Sequence, residues 1–260
     1  MQLKTKQYQP STNPAAIVFF SLALMSLFVI NAQAAPSFDC KKASTPAEKT
    51  ICSSKTLSQL DSAIATAYKQ AQKNLADDAT ALAELKTSQR LFITTRNAEA
   101  TPHFGNDYNM QEHMTAQLDV LRGITAKPRD GLVGEWRTSE SKLWIGPVNK
   151  NGLHPVNAQS RTHDSKHWTC EFLGEAKQDG DTLVVQGRDN YKANYDDWQL
   201  KLTPQGRMLE LSYIRPSNSN RKAIYNPPFC SMNGFLVGNY FPSDLPDNPC
   251  AGVPVGQCKE

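Results

Sequence analysis

No block of Lys or Arg occurs in the 260 residues, and the formal net charge is only +3. A chain that binds nucleic acid or an anionic membrane through charge would carry such a block. There is no C-x-x-C pair, so neither a zinc knuckle nor a thiol redox motif is spelled out. There is no G-x-S-x-G elbow to present a nucleophile and no Gly-rich phosphate loop. No internal repeat is visible. Tryptophan is missing from the first half: Trp136, Trp144, Trp168 and Trp198 all lie beyond residue 130. The longest apolar run, Ala16 to Ile30, falls short of the roughly 20 residues that span a bilayer. These absences point away from an enzyme, and they leave no cofactor and no metal to expect.

What is present begins with that run. Lys4 and Lys6 precede it, no acid accompanies it, and Ala32-Gln33-Ala34 follows it. This is the pattern of a signal peptide cut after Ala34. Loss of Lys4 and Lys6 takes the net charge to about +1 and leaves about 226 residues. No lipidation box lies at the cut. The expectation is a periplasmic or secreted protein with no membrane contact after cleavage. In an oxidising compartment cysteines pair. All six, Cys40, Cys52, Cys170, Cys230, Cys250 and Cys258, lie beyond the cut. Fifteen connectivities are possible. Pairing of sequence neighbours is the expectation: Cys40 with Cys52, Cys170 with Cys230, Cys250 with Cys258.

Two halves follow different periods. Thr45-Pro46-Ala47-Glu48 is a capping box with Pro at the first helical position, and the spacing predicts a short helix ending near Cys52. Leu57, Leu60, Ile64, Tyr68 and Ala71 mark a second helix, over 57–75. Leu82, Leu85, Phe92 and Ile93 mark a third, over 79–97. Met110, Met114, Leu118 and Leu121 mark a fourth, over 109–122. A helix as short as the first does not hold itself together in water. A disulfide across a loop of this size contributes about 3 kcal/mol in the chain-entropy model, so Cys40 and Cys52 read as a staple. Residues 125–132 are a linker by composition. From 133 to 241 the chain reads as seven or eight short strands, with turns at Gln178-Asp179-Gly180-Asp181 and Pro204-Gln205-Gly206. The predicted fold is α+β: a stapled helical bundle over 35–124, then an antiparallel barrel or sandwich. A Pro/Gly-rich tail occupies 242–260.

Asp61, Gln89 and Arg96 fall beside or within apolar stripes. A buried Asp–Arg pair between two helices, with Gln89 taking leftover hydrogen bonds, accounts for all three. A binding site for a partner group is the alternative. His163-Asp164-Ser165-Lys166-His167 imitates a zinc-protease motif with Asp in place of Glu. That chemistry needs a stable helix, whereas this stretch is polar and runs into a strand, which makes it a loop.

The cysteine stretch also resembles the N-terminal domain of the lysozyme inhibitor LprI-like family. Phe38, Asp39, Cys40, Thr45, Glu48, Ile51, Cys52, Leu57, Leu60, Asp61 and Tyr68 carry the likeness, and Gln89, Phe92, Arg96 and Asn97 extend it. One departure is that Ala98, Glu99 and Ala100 stand where that family commonly begins a second cysteine pair. The β half has a weaker likeness to calycin-like barrels, resting on strand pattern, "GEWRTS" and "FCSMNGFLVGNY". The resemblance implies inhibition of a lysozyme or another peptidoglycan hydrolase, as immunity, self-protection or host-defence resistance. The alternative is a non-inhibitory envelope protein that binds cell wall or partner proteins. Lysozymes cut with a carboxylate pair in a cleft, so an inhibitor needs a projecting loop with donors or a cation. Residues 214–228, with Arg215, Ser217, Ser219, Arg221 and Lys222, fit best, and "GPVNKNGLHP" with Lys150 is second. Either stretch also has the composition of an ordinary solvated connection.

Overall fold

The computed structural model describes residues 35–101, 108–164, 166–187, 198–214 and 227–243. The first helix, α1 (Pro46–Ser53), starts at the expected box. Thr45 Oγ1 accepts the Glu48 backbone N–H at 3.2 Å, and the Glu48 carboxylate accepts the Thr45 and Ser44 backbone N–H groups at 2.9 and 2.8 Å. The Thr45 bond is the largest cause holding the Glu48 carboxyl down at about 2. Ser54 closes α1 and caps α2 (Lys55–Asn74), accepting from Leu57 N. Then come α3 (Ala79–Glu99), capped by Asp78, and α4 (Met110–Gly123), capped by Asn109.

The Cys40–Cys52 disulfide ties the single 3-10 turn at Cys40–Lys42 to the last turn of α1. Ile51, Ile64, Ala71, Leu75, Leu85, Phe92, Met114 and Leu121 form the core of the bundle. On α3 the buried line runs through Leu85, Phe92 and Arg96. Ile93, assigned to that stripe from spacing, turns out to be 39 % exposed.

The β half is a closed barrel of eight antiparallel strands in sequence order. They are β1 (Gly134–Arg137), β2 (Ser141–Ile145), β3 (His154–Arg161), β4 (Thr169–Asp179), β5 (Thr182–Gly187), β6 (Gln199–Gln205), β7 (Met208–Ile214) and β8 (Gly238–Pro242). Closure rests on Trp136 opposite Pro242 and Arg137 opposite Phe241. Inward positions fill the lumen with Leu143, Ile145, Phe172, Val185, Leu200, Leu209, Leu211 and Tyr240, as an eight-stranded barrel allows. The Cys170–Cys230 disulfide fastens the segment before β8 onto β4. Two turn expectations shift. The β4–β5 hairpin turns on Gly180 and Asp181 alone, and the β6–β7 hairpin on Gly206 and Arg207. Pro204 lies inside β6, opposite Leu209.

The helices and the barrel share one compact unit. Strand alternation explains how they meet. On β8, Tyr240 points into the lumen while Phe241 packs into the helical core, and on β7, Leu209 and Met208 divide in the same way. Gly123 lets α4 approach β8 closely, since a Cβ there would lie 2.9 Å from Pro242 O. Arg207 completes the contact. Its backbone N–H donates to Asp78 Oδ2 at 2.9 Å, and its guanidinium donates to Asp77 and to the carbonyls of Asn74 and Thr125. The segment 125–132 is held as well: Arg129 Nη1 donates to Glu135 O at 2.7 Å, and the guanidinium stacks on Trp136.

Candidate functional site

Asp61 and Arg96 form the expected pair, 3.3 Å apart and both buried. Its remaining bonds differ from expectation. Ser37 donates twice to Asp61, at 2.7 Å from its backbone and 2.6 Å from its hydroxyl, and Asn97 accepts from Arg96. Gln89 is elsewhere, accepting from Gln117 Nε2 at 2.9 Å. The pair therefore joins α2 to α3, and Gln89 joins α3 to α4. This is the arrangement of a structural polar bridge.

Two places could meet a ligand or partner. The first is the connection between β2 and β3, which carries Lys150. Asn149 organises it. Its Oδ1 accepts from Asn151 N at 2.9 Å and Leu153 N at 3.2 Å, and its Nδ2 donates to Glu175 on β4 at 3.2 Å. Asn149 N and Leu153 O close the loop at 2.8 Å. Gly152 supplies the positive φ of 76° that the turn needs. At the base, Gly146 sits against Trp144 and Pro155 so closely that a Cβ would lie 2.4 Å from the Trp144 ring. The tip presents Val148, 58 % exposed, beside the exposed Lys150. No hydrogen bond or ion pair holds the Lys150 ammonium among the described residues. The loop is thus fixed while its cation and its apolar side chain are free.

The second place is a cleft of about 610 Å³ between α4 and the ends of β1, β2 and β3. Two ion pairs cross it: Arg137 with Asp119 at 3.2 Å and Arg161 with Glu112 at 3.7 Å. Beside it His113 of α4 stacks on His163, ring centroids 4.8 Å apart and planes at 19°. His113 Nδ1 shares a hydrogen bond with the Tyr108 hydroxyl at 2.9 Å, and His163 Nε2 donates to Ser139 O at 3.0 Å. Burial holds both imidazoles below their usual range, His113 at about 3. Burial has the opposite effect on Glu140, whose carboxyl is pushed up to about 7. His163 belongs to the stretch that imitates a zinc motif, and it stands in a loop as the polarity implied. Its contact with α4 was not visible in sequence, because nothing local marks which helix a loop His will meet.

Arg215, Ser217, Ser219, Arg221 and Lys222 lie outside the described residues, as do Cys250 and Cys258.

Residues 40–127 match the family model of lysozyme inhibitor LprI. The helical half is therefore similar to an LprI domain. The match begins at the first stapled cysteine and ends four residues beyond α4, so it stops before the barrel. LprI is an inhibitor family, and its description implies a lysozyme-like partner. The eight-stranded barrel is compatible with a calycin-like architecture. No curated protein and no solved structure matches the chain. No described helix is long and apolar enough to cross a membrane.

Proposed function

We propose that this protein is an exported inhibitor of a lysozyme-type peptidoglycan hydrolase, and that the β2–β3 hairpin is the part that enters the enzyme's cleft. The LprI-like domain supports the inhibitor class, and the leader-like pattern before Ala34 supports export to the periplasm or beyond. The observation that carries the reading is Lys150 on a loop already locked by Asn149. A carboxylate pair in a cleft is what such an enzyme offers, and a single unpaired ammonium is its complement. Val148 adds apolar area beside the charge. A loop rigid before binding loses little conformational freedom on binding. Arg215, Ser217, Ser219, Arg221 and Lys222 are proposed as an alternative contact of the same chemistry.

The test is a turbidity assay of wall suspensions against a panel of hydrolases, with Lys150→Ala beside the wild type. Wild-type protein should slow at least one enzyme stoichiometrically. Lys150→Ala should bind at least roughly thirtyfold more weakly, as expected when one partner of a closed charge pair is lost, with the melting temperature unchanged because Lys150 is exposed. Full inhibition by Lys150→Ala with loss in Arg221→Ala/Lys222→Ala would move the site to residues 214–228. Full inhibition by both would move it to the LprI-like domain, where Leu91 on α3 is 63 % exposed. If no hydrolase is slowed, the inhibitor reading gives way to that of a non-inhibitory envelope protein.

A further inference from the structure

The cleft beneath α4 is a separate place from the hairpin. Ser141 and Ser160 pair at one end of the β2–β3 ladder, followed by Lys142 and Gln159, and Ile145 and Val156 pair at the other, next to the hairpin. The strand between the two ends, Ser141 to Ile145, covers roughly 13 Å. The lining of the cleft is polar, with Asn109, Thr138, Ser139, Ser141, Gln159 and Ser160 among its side chains.

Its charges are unevenly satisfied. Arg137 and Arg161 already hold Asp119 and Glu112. Lys142 is exposed and has no ion-pair partner among the described residues. Glu140 accepts a hydrogen bond from the His163 backbone N–H, and burial keeps its carboxyl protonated to about pH 7. Below that pH it is an O–H donor rather than an anion. The first turn of α4 lines the same space through Asn109, Gln111 and Glu112, and the positive end of a helix favours negative charge. Independently of the helix, Ser160 on β3 is 8 % exposed and its hydroxyl makes no hydrogen bond. Buried hydroxyls normally have a partner.

We propose that this cleft binds a small polar carboxylate of sugar-acid size, its carboxylate facing Lys142 and the start of α4, and its hydroxyls meeting the Ser, Thr, Asn and Gln side chains. The inference does not depend on the inhibitor reading. Protonated Glu140 donates to the same ligand. The charged groups around it are Lys142 on β2, Arg137 on β1, Arg161 on β3, His163 and Asp164 in the following loop, and Glu112 and Asp119 on α4, the last held by Arg137. Of these, Glu112 is held by Arg161 and His163 is kept neutral by burial. Ionised Glu140 competes with the ligand carboxylate for Lys142 and loses its own O–H donor, so affinity should fall as pH rises through about 7.

The experiment is an amide-resolved NMR titration of the purified protein with N-acetylmuramic acid, and with N-acetylglucosamine as the sugar lacking a carboxylate. The acid should shift amides of residues 138–142 and 159–163, and the neutral sugar should not. Lys142→Ala and Ser160→Ala should each weaken binding about fivefold, the equivalent of one hydrogen bond. Ser160→Ala should not lower the melting temperature, since it removes a hydroxyl without a partner. Glu140→Gln should bind equally well on both sides of pH 7. Equal shifts from both sugars, shifts elsewhere on the molecule, or none up to the solubility limit would each overturn the proposal.

Discussion

At the scale of single residues, the cleft sets two kinds of acid–base group against each other. His113 has a folded pKa of about 3, below its ordinary 6.5, because burial disfavours the imidazolium and His163 and Arg96 add repulsion. The unfolded chain therefore binds more protons than the folded one between those values, and stability is lost as pH falls below about 6.5. His163 is shifted in the same direction. Glu140 is raised to about 7 from 4.5, so the folded state holds the extra proton, and stability is gained as pH falls from about 7 to 4.5. The shift of Glu140 therefore opposes the shifts of the two His residues. His113→Phe should make the melting temperature less acid-sensitive, by roughly 4–8 °C at about pH 5, from about 2 kcal/mol of linkage at most. Glu140→Gln should make it more so. Calorimetric scans across this pH range check both signs, and a His113→Phe profile parallel to wild type would contradict the assignment. The Asp61–Arg96 pair was legible because its residue types sit within an apolar stripe. The role of Gln89 was not, since spacing along one helix says nothing about which neighbour a side chain reaches.

At the scale of elements, the α2–α3 connection and the β6–β7 turn act together. Asp78 caps α3 by accepting Ala81 N at 2.9 Å and accepts Arg207 N at the same distance. The Ala81 bond is the largest cause holding its carboxyl below the usual range. Gly206 fits there for two reasons: its φ is +61°, and a Cβ would lie 2.3 Å from Asp78 Oδ2. Asp78→Ala should cost about 2 kcal/mol, a lost cap plus a lost hydrogen bond to a charged group. Gly206→Ala should destabilise by a similar amount while leaving Asp78 in place. Urea unfolding of the two variants measures both. Helix starts were readable because capping boxes and N-caps are local chemistry. The hairpin turn was misplaced by two residues at one end because Pro204 looks like a turn residue, yet at the end of β6 its missing N–H is tolerated.

At the scale of the whole molecule, Met208 and Phe241 make the barrel a contributor to the helical core. The protein should therefore unfold in a single thermal transition, with Phe241→Ala lowering it as a core truncation of about 3–5 kcal/mol would. Two resolved calorimetric transitions in the wild type would instead mean that the halves fold separately. The change of period at residues 125–132 revealed both halves, but alternation in a strand fixes only that two faces differ. It does not say that a helix will cover the outer face of β7 and β8. Closure of the barrel has one more consequence. A sheet with free borders can be lengthened by a stranger's chain, whether a bound peptide or a misfolded copy. Here β8 returns to β1, so the described sheet has no border on which another chain can be templated. Recognition by strand addition to the barrel is thereby excluded, and the route by which sheets grow into fibrils is shut for as long as the seam between Trp136 and Pro242 holds.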